Sequence, residues 1–271
     1  MMLKRIFRIG RLSGRLSRKP EPSGRSIVLF GDSHSYAVQR AIEKRRGKGR
    51  SAPLVAHRLL KMKNGTQLGD TTFEDLLDKV SALDSDDVVL SMIGGNQYAV
   101  FSMIQHPRPY DFFCARDSKV AEETELIPYR VLAQVFADGI RNGDGRSLKA
   151  LRKATRARVV HVIPPPPKSD NVFIQEHHGS VFANEGIATH GVSSPALRMK
   201  FWALQKKILE DLCAELGVEV MMPPSRALDE AGFLARDFYA KDATHANHVY
   251  GELLIREVES RFASAPVQCK L

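Results

Sequence analysis

Four short runs rich in β-branched residues recur along this chain, and each is cut off at once by glycine or proline. They lie at residues 27–30 (IVLF, then Gly31), 86–93 (DDVVLSMI, then Gly94-Gly95), 158–163 (RVVHVI, then four prolines) and 217–222 (GVEVMM, then Pro223-Pro224). Amphipathic segments separate them. Residues 35–44 read as a helix after the first run. Thr71 and Glu74 stand at capping-box spacing, with Thr71 at the N-cap of a helix running to about residue 80. From 195 to about 216, Leu197, Phe201, Leu204, Ile208 and Leu212 fall at helical spacing, and 245–262 reads as a closing helix. Strands alternating with helices build βαβ units around a parallel sheet, so the expected class is α/β.

The chain has 271 residues, enough for one large α/β domain, and carries a formal net charge of +9. That charge is concentrated. Lys4, Arg5, Arg8, Arg11, Arg15, Arg18, Lys19 and Arg25 are opposed within the first 25 residues only by Glu21, leaving the remainder near neutral. The expected organisation is a basic arm over 1–24, a single domain over 25–265 and a short tail over 266–271. Arginine interrupts the arm's apolar residues every few positions, so it has no continuous core of a secretory signal. Gly10 and Gly14, followed by Pro20-Glu21-Pro22, favour a solvated arm. Its apolar stripe (Leu3, Ile6, Phe7, Ile9, Leu12) would also suit weak contact with an anionic membrane surface. No run approaches the ~20 apolar residues that span a bilayer. Cys114, Cys213 and Cys269 are odd in number and scattered, which fits a reducing compartment, and the expected location is cytoplasmic, peripheral at most to a membrane. No aromatic-interleaved basic surface argues for nucleic acid. The cluster from Arg40 to Arg50 reads as the charged end of a helix and its loop.

Ligands of a parallel sheet collect at the carboxyl ends of its strands. After the first strand comes Gly31-Asp32-Ser33-His34, and after the second Gly94-Gly95-Asn96-Gln97. Between them lies Asn64-Gly65-Thr66-Gln67-Leu68-Gly69-Asp70-Thr71-Thr72. Near the C-terminus stands Asp242-Ala243-Thr244-His245-Ala246-Asn247. Taken singly, each has a plain use: Ser33 or Asp242 as a helix cap, Asn96 as a turn residue, Gly69 as a glycine before a cap. Taken together they supply a nucleophile (Ser33), a base (His245), a carboxylate three residues earlier to fix its tautomer (Asp242), and three oxyanion donors: the Ser33 and Gly69 N–H groups and the Asn96 amide.

These four segments resemble, in order, the sequence blocks of the SGNH (GDSL-type) hydrolases. Gly31-Asp32-Ser33 matches the nucleophile block, and residues 64–72 the N-x-x-x-x-G-D-T-[ST] loop, with Gly69 at the oxyanion glycine. Gly94-x-Asn96 matches the asparagine block, and Asp242-x-x-His245-x-Asn247 the block of acid and base. The resemblance covers roughly residues 26–262. It implies a flavodoxin-like three-layer α/β/α sandwich, and a serine esterase whose triad is Ser33, Asp242 and His245 and whose oxyanion hole is Ser33, Gly69 and Asn96. Two positions depart from the blocks. His34 stands where many members have leucine, and Gln97 where many have aspartate.

The expected reaction is hydrolysis of an acyl ester through an acyl-enzyme. The alternative is an O-acyltransferase acting on a glycan or other hydroxyl acceptor with the same residues, and behind it a non-catalytic binding protein on the same fold. No nucleotide cofactor is expected, because no glycine-rich phosphate loop follows a strand. Nor is a metal expected: His161, His177, His178 and His190 read as loop residues or substrate contacts. Two long irregular segments, 98–127 and 168–194, read as insertions. His106 to Phe113 and Pro164 to Pro167 are expected to wall the pocket. His34, Gln97 and Arg108 lean towards a small polar ester such as an O-acetylated sugar.

Overall fold

A computed structural model describes residues 25–63, 65–114 and 119–263. The arm over 1–24, the tail over 266–271, Asn64 and Cys269 lie outside the described residues. The strands are β1 (Ile27–Gly31), β2 (Val55–Arg58), β3 (Lys61–Lys63), β4 (Thr66–Leu68), β5 (Val88–Met92), β6 (Tyr110–Asp111), β7 (Glu125–Leu126), β8 (Arg158–Val162) and β9 (Glu219–Met221). The helices are α1 (Tyr36–Arg46), α2 (Phe73–Ser81), α3 (Gln97–Ser102), α4 (Tyr129–Asn142), α5 (Asp144–Ala154), α6 (Asn171–Glu176), α7 (Ser180–Asn184), α8 (Ile187–His190), α9 (Pro195–Leu216) and α10 (His248–Val258).

Five strands form one parallel sheet in the order β2-β1-β5-β8-β9. Alternate side chains of β1 serve opposite faces, as strand pleating requires. Ile27 and Leu29 pack with Val38 of α1 and Leu254 and Ile255 of α10. Phe30 packs on the other face with Leu76 of α2 and Leu148 and Leu151 of α5. The result is the expected three-layer α/β/α arrangement. Every residue of β5 is buried, the signature of a central parallel strand covered on both faces. A third cluster joins α3, α4 and α9 around Tyr98, Phe136 and Phe201.

From β1 the chain order runs to β2 on one side and to β5 on the other, so the β1/β5 boundary is a topological switch point with a crevice at its carboxyl end. Gly31 closes β1 there. A Cβ at this position would lie 2.6 Å from Met92 Cβ, so only glycine lets the two strand ends meet so closely.

Several sequence expectations need correction. The fifth sheet strand, β2, carries the unremarkable sequence Val-Ala-His-Arg at a sheet edge and was not expected. Helix α2 is capped by Thr72, whose hydroxyl accepts from Asp75 N–H at 3.0 Å, not by Thr71. Thr71 is occupied elsewhere, since its carbonyl accepts from Leu60 N–H and its hydroxyl donates to Asp70 at 2.8 Å. The closing helix begins at His248, capped by the Asn247 side chain, so His245 stands before it on a turn. Helices α4 and α5 fill 129–154, a stretch left unassigned. The segment 98–127 holds part of α3 with β6 and β7, and 168–194 holds α6, α7 and α8. The basic cluster is the end of α1 and its loop, as expected, and within it Arg45 is 4% exposed and ion-paired with Glu252 and Glu259.

Candidate active site

The turn after β1 carries Ser33 at the start of a short 3-10 segment, Ser33–Ser35. Asp32 fastens this turn to the one after β5, because its Oδ2 accepts the Gly94 N–H at 2.8 Å. Asn96 is thereby held beside Ser33, and both line one cleft. His34, directly after Ser33, is 4% exposed, and its Nε2 lies 3.0 Å from Asn96 Oδ1. Burial, with the nearby His245, lowers the His34 pKa to about 3, so the ring is neutral at ordinary pH.

His245 comes from the loop before α10. Its Nε2 lies 2.6 Å from Ser33 Oγ, across 212 residues of sequence. Its Nδ1 lies 3.1 Å from Asp242 Oδ2. A carboxylate can only accept, so Nδ1 carries the proton, and the bare Nε2 accepts the Ser33 hydroxyl. The three-residue spacing works through a tight local turn, in which Asp242 Oδ1 accepts the backbone N–H groups of Thr244 at 2.9 Å and His245 at 2.7 Å. Burial alone would raise the Asp242 carboxyl. Hydrogen bonds from the His245 ring and backbone, with the Lys168 charge, outweigh burial and hold it well below the usual carboxylate range.

Lys168 supports this loop from behind. Its ammonium donates to the carbonyls of Ala240, at 2.8 Å, and of Asp242, between the rings of Phe173 and Tyr239. Burial lowers its pKa to about 8. Arg198, fully buried on α9, donates in turn to the Lys168 carbonyl at 3.0 Å. No sequence pattern announced these two cations as parts of the site, because their partners are backbone carbonyls of remote segments.

Gly69 lies on the turn after β4. Its φ is +92°, and a Cβ there would lie 2.3 Å from the Leu59 carbonyl oxygen. Backbone crowding alone therefore requires glycine here. Neither the Ser33 nor the Gly69 N–H is donated to a carbonyl among the described residues.

The cleft beside Ser33 has a volume of about 220 Å³, and its lining includes Asp32, Arg58, Lys61, Gln97 and Asp144. Burial and the Asp32 charge raise the Asp144 pKa, while Lys61 pulls it the other way. The walls are not those expected. His106, Arg108 and Tyr110 line separate depressions, and Pro164 to Pro167 are buried, with Pro164 packed against Gly95. Of the three polar neighbours expected, Gln97 reaches the cleft, His34 lies buried below it, and Arg108 is elsewhere. His161 belongs to the strand expected over 158–163. It is buried on β8 beside Ser91 Oγ. Among the described residues no group of three or more His, Cys, Asp or Glu side chains is placed to hold a metal ion.

No protein-family model matches the chain, and no curated protein matches it. Among solved structures, a carbohydrate acetylesterase from Sinorhizobium meliloti is similar at 14% identity and a TM-score of 0.43, over 89% of this chain and 99% of that one. A GDSL-like lipase from Bacteroides thetaiotaomicron is similar at 10% identity and a TM-score of 0.44, over 89% of each chain. The aryl esterase of M. smegmatis is similar at 13% identity and a TM-score of 0.42, over 88% of this chain and 99% of that one.

Proposed function

We propose that the chain is a serine esterase that cleaves a small polar acyl ester through an acyl-enzyme. The observation that carries this reading is the unbroken line from Asp242 through His245 to Ser33, at 3.1 Å and 2.6 Å, opening on a cleft. His245 takes the Ser33 proton as Oγ bonds to the ester carbonyl carbon. Asp242, ionised throughout, steadies the imidazolium that results. The carbonyl oxygen becomes an oxyanion facing the Ser33 and Gly69 N–H groups and the Asn96 amide, whose hydrogens are free to meet it. His245 returns the proton to the leaving alcohol. Water, deprotonated by the same imidazole, then releases the acid and restores Ser33.

The charged and amide side chains around the cleft support a polar substrate, such as an O-acetylated sugar, over a long acyl chain. A volume of about 220 Å³ gives such a chain little room. The resemblance of four sequence blocks, in order, to those of the SGNH hydrolases supports the same residues in the same roles. The test is Ser33→Ala. It is expected to abolish hydrolysis of p-nitrophenyl acetate while circular dichroism and the melting temperature stay unchanged. Retained turnover overturns the mechanism. A series of p-nitrophenyl esters of increasing chain length is expected to lose kcat/KM steeply beyond the shortest members.

A further inference from the structure

Asn96 occupies the N-cap position of α3, where an asparagine ordinarily turns its Oδ1 onto the helix's first free N–H groups. Here it makes no such bond. Its Oδ1 is instead 3.0 Å from His34 Nε2, and its Nδ2 has no partner among the described residues. His34 is carried by the same 3-10 turn as Ser33. One side of its ring meets the His245 ring, with centroids 4.8 Å apart. Its Cδ2 lies 3.4 Å from where a Cβ on Gly95 would stand. The ring is therefore fixed from the nucleophile turn, from the base and from the Asn96 turn, and it takes no part in the proton transfers proposed above.

The protonation pattern of the pair can be argued. His34 Nδ1 is buried without a partner. A buried N–H with no acceptor is rarer and costlier than a bare acceptor nitrogen, so the hydrogen belongs on Nε2. Nε2–H then donates to Asn96 Oδ1. The opposite assignment, with the Asn96 amide donating to a bare Nε2, would strand a buried Nδ1–H.

Resting on the esterase reading, we infer that His34 is a positioning residue for the oxyanion site: by holding Asn96 Oδ1 it turns the Asn96 NH2 towards the cleft beside Ser33. An exposed asparagine left to itself would rotate its amide or cap α3, and the donor would be present for only part of the time. With the amide already oriented, no reorganisation is needed as charge develops on the substrate oxygen. His34 does this as a neutral ring, so no second positive charge competes with the imidazolium of His245.

The test combines kinetics with a readout that needs no turnover. In His34→Leu, kcat for p-nitrophenyl acetate is expected to fall about tenfold to a hundredfold, part of the cost of losing an oxyanion donor, with KM little changed. Asn96→Ala is expected to fall further, and His34→Leu added to Asn96→Ala to cost almost nothing more. An additive loss in the double variant would overturn the inference, because it would mean that His34 acts otherwise than through Asn96. His34→Gln, which keeps a side-chain N–H donor, is expected to recover part of kcat and guards against misfolding in the leucine variant. Independently, 15N NMR of the wild-type ring is expected to find Nε2 protonated and Nδ1 bare from about pH 5 to 8, with a shift in Asn96→Ala. A proton on Nδ1 overturns the assignment. A wild-type chain that turns over no ester overturns the proposed function instead, and the NMR result then decides the His34–Asn96 bond by itself.

Discussion

The two halves of the candidate site are built in different ways. The half with Ser33 and Asn96 grows directly from the ends of β1 and β5, two adjacent buried strands, and is stitched by Asp32 onto Gly94 N–H and by His34 onto Asn96. The half with Asp242 and His245 belongs to no strand. It is a turn closed on its own carboxylate and held from behind by Lys168, which comes from one irregular segment and is anchored in turn by Arg198 of α9. A sheet edge is precise because backbone ladders fix it. A loop can match that precision only when buried polar groups take up its carbonyls one by one. The base half should therefore be the one that a single substitution loosens.

The largest expected effect comes from Asp242→Asn. The asparagine oxygen can still accept the Thr244 and His245 N–H groups, so the turn survives. The ring loses its fixed tautomer, and kcat should fall about 10⁴-fold at unchanged melting temperature. A loss below tenfold would mean that the loop, not the carboxylate, orients His245. Next is Lys168→Met, which leaves two half-buried carbonyls without their donor. Urea unfolding should show a loss of about 2–3 kcal/mol, and kcat should fall with it. If stability drops while kcat holds, the base half is sturdier than this comparison makes it.

Acid should act outside the base half, on His34 and on His161 of β8. His34 and His161 are held neutral by burial, with pKa values lowered to about 3 and about 4. Once unfolded, they bind protons below about pH 6.5, so stability should decline as pH falls from there towards 4. Integration gives on the order of 2 kcal/mol for His161 at about pH 4.5. His161→Phe should flatten that part of a pH series of urea midpoints, and an unchanged slope would reject the assignment. Lys168 has the opposite window. Its burial penalty stands below about pH 8 and is relieved as pH rises towards the ordinary lysine value, so the base half should gain, not lose, from mild alkali. The smallest effect is expected for Asp32→Ala, about 1–2 kcal/mol, since one Gly94 N–H loses its acceptor while the strand ladder remains.

The strand-end turns were legible because each carries its signal locally: an apolar run, an abrupt glycine, a polar residue. Asp242 and His245 were legible for the same reason, being three apart on one turn. What escaped was written across distance or weakly. Strand β2 is four residues at a sheet edge with none buried, so neither periodicity nor apolar content marks it. The pattern of α4 was present in Leu132, Phe136 and Ile140, spaced four apart, but it lay between stretches that read as irregular. Thr71 and Thr72 both precede a glutamate or aspartate at N3, and only the pairing of Thr71 with Leu60 decides between them. The buried cations were out of reach altogether. Lys200 meets Asp111 at 2.8 Å across 89 residues, and Arg45 meets Glu252 across 207, and in sequence each looks like a surface charge. The pocket walls differ from expectation because residues 106–110 face other depressions and Pro164 to Pro167 are buried, and neither fact is marked in the local sequence.

Helix α9 was expected to be an amphipathic rod with one apolar stripe. Instead it buries Arg198, Lys200, Trp202 and Gln205 as well. Gln205 grips the Gly95 carbonyl and the Tyr98 N–H, immediately flanking Asn96, while Arg198, less than two turns earlier, braces Lys168 behind the base. The proposed oxyanion donor and the loop of the proposed base thus hang from a common beam. A rotation of that beam by even a fraction of a turn would displace both at once, so one helix couples the position of one turn to that of the other.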